Sequence, residues 1–317
     1  MSLTVAVQMD PLETIKIAGD SSFALMLSAQ ARGHRLFHYA AEDLSYADGR
    51  VWAKARPVTV KRVAGDHFTA GDPVALDLGS EADVVLMRQD PPFDLGYITA
   101  THLLERIADR TLVVNDPASV RNAPEKILVL DYARFMPPTL VTRSLDEARK
   151  FLDQHGEIVV KPLHGNGGKA IFKIGRGDAN LSSLIEVFNT AYREPHMLQA
   201  FIPDVVSGDK RIILVDGVVA GGINRIPGEG EIRSNLAVGG RAAPTTLTET
   251  ELEICAALGP ELKRRGLVFV GIDVIGGKWL TEINVTSPTG FVGMDAFNGT
   301  DTGAMIWDAI EARLAAR

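Results

Sequence analysis

Residues 268–288 carry the densest chemistry in the chain: Val-Phe-Val-Gly-Ile-Asp-Val-Ile-Gly-Gly-Lys-Trp-Leu-Thr-Glu-Ile-Asn-Val-Thr-Ser-Pro. Two β-rich runs, 268–275 and 278–285, flank Gly276-Gly277, a two-residue signal for a tight hairpin. That turn pairs Ile275 with Lys278, Asp273 with Leu280 and Gly271 with Glu282. Side chains alternate along a strand and paired residues share a face. Asp273, Leu280, Glu282 and Asn284 are therefore expected on one face. Val270, Ile272, Val274, Trp279, Thr281, Ile283 and Val285 are expected on the other, facing a core. Asp273 and Glu282 become diagonal neighbours whose oxygens can converge. Two carboxylates and an amide oxygen suit magnesium, a hard cation that keeps waters and shares substrate phosphates. A lone Asp or Glu on a strand more often belongs to a solvated face. Three converging donors and the rigid Thr286-Ser287-Pro288 exit favour the metal, and such a metal calls for a nucleotide.

The best phosphate-binding candidate is His164-Gly165-Asn166-Gly167-Gly168-Lys169, which follows a strand ending in Lys161. Its glycines let backbone amides approach phosphate oxygens, and Lys161 beneath supplies a point charge. Any hairpin can carry a glycine-rich turn, so composition alone leaves this open. No helix follows and Lys169 precedes Ala170, which excludes a P-loop and a dinucleotide fingerprint. The strand over 197–202 has a backbone able to read an adenine edge. Segment 226–241 is long, carries Gly228, Gly230, Gly239 and Gly240, and brings Arg233 and Arg241 after Arg225. A structureless stretch of that length is expected to be a lid. Arg88 stands in Arg88-Gln89-Asp90-Pro91-Pro92-Phe93-Asp94, where the prolines hold it rigidly enough for a substrate carboxylate.

These residues need positioning elements. Strands over 3–9, 34–39, 82–87 and 112–114, with helices over 21–32 and 97–106, predict a parallel α/β unit closing near residue 122. Asp20 or Ser21 caps the first helix, Gly33 ends it, and ligands belong at the strands' carboxyl ends. Residues 50–80 read as an antiparallel excursion. His34 and His38 lie on a strand and are read as structural. Further helices are expected from Ser144 to about His155, over 181–192, over 249–265 and over 304–315. Asp209-Lys210-Arg211 opens a strand at 212–215 with a charged start, the usual mark of a solvated edge.

Composition sets the bounds. The 317 residues, 46% hydrophobic and 23% charged, describe a soluble protein of two or three units. A net charge of −7 argues against a nucleic-acid partner, which needs a basic stripe. The single cysteine, Cys255, excludes an intramolecular disulfide and reads as a small core residue. No run reaches membrane-spanning length, so no membrane contact is expected and the expected compartment is the cytoplasm.

Taken in order, the motifs resemble the ATP-grasp superfamily and, along nearly the whole chain, bacterial glutathione synthetases. They are Met9-Asp10-Pro11, Asp20-Ser21-Ser22-Phe23, Met87-Arg88-x-Asp90-Pro91-Pro92-Phe93-Asp94 and Lys161-Pro162-Leu163. Next come Gly208-Asp209-Lys210-Arg211, Val238-Gly239-Gly240-Arg241, Phe269-Val270-Gly271-Ile272-Asp273 and Thr281-Glu282-Ile283-Asn284-Val285-Thr286-Ser287-Pro288. The resemblance implies an α/β chain with an α+β ATP-grasp: a parallel N-terminal substrate domain, 1–122, then two α+β subdomains, 123–202 and 203–317, that clamp ATP. It implies ligation of γ-glutamylcysteine to glycine with ATP and Mg²⁺ or Mn²⁺, through an acyl phosphate. Another acid or amine on the same machinery is the alternative, and a non-catalytic ATP-binding module is a further rival.

By the same resemblance Lys126 and Lys161 hold phosphates, and Gly165, Gly167 and Gly168 cover them. Gln199, Ala200, Phe201 and Ile202 form the adenine hinge, and Asp209 takes the ribose. Asp273, Glu282 and Asn284 hold the metal. With Lys161, Arg211 and Arg225 are the expected catalytic cations, stabilising the acyl phosphate and the oxyanion that follows. Substrate contacts are expected from Arg88, Arg233, Asn235, Gly239, Gly240 and Ser287. A homo-oligomer is the family's common state. The chain departs from the family at Gly290-Phe291-Val292-Gly293, where Gly-Ile-Gln/Arg-Glu is usual, and at His164-Gly-Asn-Gly-Gly, where some members have Asp-Gly-Met-Gly-Gly.

Overall fold

Thr4–Gln8 is buried on both faces, as an unbroken apolar run requires of a central parallel strand. It lies between Arg35–Tyr39 and Val84–Met87, with Leu112–Val114 beyond, and all four run parallel. The computed structural model describes residues 2–235 and 239–317. Helix Ser21–Ala31 starts where the Asp20 carboxylate accepts the Phe23 amide at 2.6 Å. Arg50–Val60 pairs antiparallel with Arg35–Tyr39, and three short strands pair with it in turn, the expected excursion. The chain leaves Thr4–Gln8 towards one edge of the sheet and Val84–Met87 towards the other. Their carboxyl ends therefore open a crevice, the place where such sheets bind ligands.

The second sheet is antiparallel, in the order Phe172–Gly175, Glu157–Pro162, His196–Ala200, Thr139–Thr142. Helices Leu145–His155 and Leu181–Ala191 bury Leu152, Leu184 and Phe188 with Ile158, Val160 and Leu198 as its own core. The third sheet runs Arg241–Ala243, Val218–Ile226, Asp209–Val215, Phe269–Ile275, Trp279–Asn284. Helix Glu249–Arg264 starts at a capping box of Thr248 and Glu251 and buries Ile254, Leu258 and Leu262 in one cluster with Ile272, Val274 and Leu280. Asp209-Lys210-Arg211 is no solvated edge: its strand is central, flanked by Val218–Ile226 and Phe269–Ile275. Among the described residues no helix is long and apolar enough to cross a membrane.

The hairpin corrects the expected register. Gly276 and Gly277, at φ 61° and 68°, do make the turn, closed by Lys278 N donating to Ile275 O at 3.3 Å. The ladder then slips by one residue, setting Ile275 opposite Trp279, and slips again at a bulge between Asp273 and Val274. Thr281 is the extra residue, and its hydroxyl donates to the Asp273 carbonyl at 3.2 Å. Asp273 now faces Glu282 directly, and Gly271 faces Asn284. Leu280, expected beside the carboxylates, pairs with Val274 in the core, while Trp279 leaves that face half-buried under the Lys278 ammonium.

Two clamps tie the sheets together. Asn115, just past Leu112–Val114, donates to the Phe269 and Val285 carbonyls, each at 2.8 Å, and accepts the Phe269 amide at 2.9 Å. The closing helix Thr302–Ala315 buries Trp307, whose indole donates to Leu25 O at 2.9 Å. His34 packs on that indole and reaches Glu311 at 3.1 Å, a structural role as expected.

Cys255 lies within this core, where burial pushes its thiol up to about 12. Only the thiolate is alkylated. At pH 8 the native protein should react with iodoacetamide at least about 100-fold more slowly than the urea-unfolded chain, as read by mass spectrometry.

Candidate active site

The bulge makes the floor of the site. Asp273 and Glu282 sit opposite each other on neighbouring strands, and the adjoining strand contributes Arg211 directly opposite Asp273. Arg211 grips Asp273 in a fork, Nε to Oδ1 at 2.6 Å and Nη2 to Oδ2 at 3.1 Å. Arg225, one strand further out, bridges Asp273 at 3.0 Å and Asp209 at 2.6 Å. Burial opposes ionisation of Asp273, but the two guanidiniums outweigh it and hold the carboxyl well below its ordinary range. Burial pushes Asp209 up to about 6, with Arg225 opposing and the Asp273 charge adding.

Glu282 is served by two lysines from elsewhere. Lys126 on the short helix Glu125–Leu128 approaches Oε1 at 3.3 Å, and Lys161 at the end of Glu157–Pro162 approaches it at 3.6 Å. Lys126 also donates to Gly165 O at 2.7 Å, tying it to the glycine-rich turn. Burial disfavours the Lys126 charge, yet Glu282 and Glu125 raise its pKa. At Lys161 burial wins over the Glu282 charge, with the Lys126 charge adding, and lowers the pKa below that of an ordinary lysine. Four cations thus converge on Asp209, Asp273 and Glu282.

Two adjoining cavities rise from this floor. The larger, about 330 Å³, is walled by the glycine turn, Lys126, Lys161, Arg211, Arg225, Glu282 and Asn284. The smaller, about 100 Å³, lies between the second and third sheets and is apolar towards Val159, Ile171, Phe201 and Ile202. Asp209 lines it, and its Oδ1 is buried with no hydrogen-bond partner among the described residues. The Asn284 amide donates to Gly271 O at 3.2 Å, leaving its oxygen as the acceptor. Among the described residues no three His, Cys, Asp or Glu side chains are grouped for a metal. The donor set is instead two carboxylates and an amide. Such a sparse oxygen set fits a cation bound mostly through phosphates and water.

The expected phosphate, hinge and metal residues are thus brought together. Gly165, Gly167 and Gly168 line the larger cavity, and Gln199, Ala200, Phe201 and Ile202 line the smaller. Gly168 has φ 77°, where a side chain is strained, and a Cβ there would lie 2.6 Å from Asn235 Oδ1, so a larger residue would also push that side chain aside. In segment 226–241, the expected lid, Asn235 lines both cavities, and Arg233 lines the smaller and reaches Gly168 O at 3.4 Å. Gly239 and Gly240 line neither cavity. Residues 236–238 of the lid, including the quoted Val238, lie outside the described residues.

Arg88 stands behind the site, not in its wall. Its guanidinium donates to Ser22 Oγ at 3.0 Å and Pro288 O at 2.9 Å, and stacks on Phe269. Ser287 lines the larger cavity while donating to Gln89 O at 2.6 Å. The departure at 290–293 begins a helix, Phe291–Asn298, and Phe291 is buried against Phe269, so its side chain serves the core. Sequence reasoning missed Glu125, which accepts the Thr286 hydroxyl at 3.0 Å and whose pKa burial raises. Its adjacency to Lys126 was the available signal.

A family model described as the prokaryotic glutathione synthetase N-terminal domain matches residues 3–121, and one described as that family's ATP-grasp domain matches 125–299. A glutathione synthetase from Rhodopseudomonas palustris is 56% identical over 99% of this chain and 100% of its own length. One from Mesorhizobium japonicum is 55% identical, covering 99% of each. Among solved structures, the D-cycloserine synthetase DcsG superposes with a TM-score of 0.69 at 18% identity, over 98% of this chain and 99% of that one. The ATP-grasp ligase PsnB, complexed with a precursor variant, Mg and ADP, gives 0.64 at 18% over 99% of each. These two likenesses show the mixed α/β ATP-grasp fold.

Breaking a buried pair leaves an uncompensated charge. Arg211→Met should lower the unfolding free energy by about 3 kcal/mol, read from urea melts without nucleotide. Asp273→Leu added to it should restore part of that loss, giving a double-mutant coupling of at least about 1 kcal/mol.

Proposed function

We propose how these side chains divide the labour, on the premise that the chain belongs to the prokaryotic glutathione synthetase family. It is an ATP-dependent ligase that makes glutathione. The substrates are ATP, γ-glutamylcysteine and glycine, and the cysteinyl carboxylate must be activated because a carboxylate does not form an amide with an amine in water.

The observation that carries the assignment is the convergence of Lys126, Lys161, Arg211 and Arg225 on one oxygen-lined crevice between two sheets. ATP lies across both cavities. Its base occupies the apolar one against Gln199–Ile202, and a ribose hydroxyl satisfies Asp209 Oδ1. Its phosphates lie under Gly165, Gly167 and Gly168, and Lys126 and Lys161 turn from Glu282 to them. Glu282 and Asn284, with the lone pair left on Asp273 Oδ1, would hold magnesium. That ion would neutralise phosphate charge and orient the γ-phosphoryl group.

The carboxylate of γ-glutamylcysteine attacks the γ-phosphorus, the bond to the β–γ bridging oxygen breaks, and ADP leaves. Charge spreads over the phosphoryl oxygens, where Lys161 and Arg211 offset it. The amine of glycine then attacks the acyl phosphate, Arg225 and Arg211 stabilise the tetrahedral oxyanion, and phosphate departs. Arg88 positions: it holds the Pro288 carbonyl, while Arg211 holds Thr289 O at 3.2 Å, so two buried guanidiniums fix the backbone beside the acid. The lid, through Arg233 and Asn235, closes over the glycine turn and keeps water from the acyl phosphate.

The test is phosphate release by the purified protein with ATP, magnesium, γ-glutamylcysteine and glycine, with the product weighed by mass spectrometry. Release should need both co-substrates and yield the glutathione mass. Glu282→Ala or Lys161→Met should cut kcat by about 100-fold or more. A product mass only with a different acid or amine would overturn the substrate assignment.

A further inference from the structure

One contact outside the phosphate machinery joins the glycine turn to the N-terminal sheet. Phe93 belongs to the proline-braced loop after Val84–Met87, at the carboxyl end where the acid substrate must lie. His164 is the first residue of the glycine turn. Their rings stack at 5.9 Å between centroids with 23° between planes. Phe93 in turn packs at 5.3 Å on Tyr97, which helix Leu95–Glu105 holds in the core. A small cavity lies behind the stack, walled by both rings, Pro91, Leu163 and Glu125.

The chemistry assigned above uses neither ring. His164 Nδ1 is buried with no hydrogen-bond partner among the described residues. Burial lowers the imidazole pKa, with Glu194 opposing and Lys126 adding, which favours the uncharged ring as a flat plate against Phe93. The chain spends a buried, unsatisfied nitrogen to keep that plate against Phe93.

We propose that His164 and Phe93 are positioning residues that form a latch, coupling closure of the acid-substrate loop to closure of the glycine turn over the ATP phosphates. This rests on the ligase reading. With the latch intact, the acyl phosphate forms only when both covers are in place. Without it, water reaches the acyl carbonyl, phosphate leaves, and free γ-glutamylcysteine is regenerated, so the net reaction is ATP hydrolysis.

The experiment counts ADP formed per glutathione for the full chain and for His164→Ala, Phe93→Ala, Phe93→Leu and His164→Phe. The wild type should form about one ADP per glutathione. His164→Ala and Phe93→Ala should raise that ratio at least twofold and release phosphate with γ-glutamylcysteine alone. The double variant should be no worse than either single one, because both remove the same contact. Phe93→Leu, which fills the space without a ring, should uncouple as Ala does, and His164→Phe should restore the wild-type ratio. γ-Glutamylcysteine should also tighten a non-hydrolysable ATP analogue, measured by calorimetry, and lose that effect in the Ala variants. An unchanged ratio in both Ala variants, additive losses, or failure of His164→Phe to rescue would overturn the latch. A wild type that makes no glutathione would sink the ligase reading instead.

Discussion

Everything in this structure bends to one electrostatic constraint: Asp273, buried, and Glu282, largely buried, face each other directly on neighbouring strands of the crevice floor. Two buried carboxylates at that spacing repel, and burying each is costly unless it is paired. Asp273 is held by a forked Arg211 and by Arg225, and Glu282 by Lys126 and Lys161. The cations come from three places in the chain: the short helix at 125–128, the second sheet and the third sheet. The same pairing that makes the buried carboxylates tolerable thus welds separate parts of the chain into one site.

The pairing also explains why such a floor can work. The lysines approach Glu282 at 3.3 and 3.6 Å, longer than the arginine fork at 2.6 Å, which suits the proposed turn of both ammoniums towards phosphate. Both arginines hold Asp273, and Arg211 also donates to Thr289 O in the loop that follows the hairpin. In the proposed mechanism one set of cations follows the nucleotide, and the other keeps the frame in which the acyl group is transferred. Asn115 and Arg88 extend that frame to the N-terminal sheet through Phe269, Val285 and Pro288.

Glycines mark where covers meet. The glycine turn and segment 226–241 approach so closely that a Cβ at Gly168 would strike the Asn235 side chain, and within that segment a Cβ at Gly240 would lie 2.1 Å from the Ser234 carbonyl. Apolar contact does the complementary work on the other side, where Phe93 meets His164. In the proposed mechanism, water is kept from a labile acyl phosphate by close approach at one edge and ring stacking at the other.

The sequence by itself determined the periodicities, the caps and turns, and the inventory of chemistry. Apolar runs, the Asp20 and Ser144 caps, the Gly276-Gly277 turn and the order of Lys, Gly-rich turn, Asp and Glu-x-Asn were all legible, because each depends on neighbours a few residues apart. The mixed α/β ATP-grasp fold followed from that order. Tertiary structure alone decided what depends on distant partners. The Thr281 bulge, which moved Leu280 into the core and set Asp273 opposite Glu282, is fixed by packing against Val274 and the helix at 249–264. Arg211 reads as a surface charge until its strand is found between two others. Arg88 reads as a substrate ligand until Ser22, Phe269 and Pro288 close around it, and Glu125 is silent until Thr286 reaches it from 161 residues away. Local sequence writes which groups exist and on which element; only the folded chain settles which charges must share a crevice, because that energy is a sum over residues the sequence keeps apart.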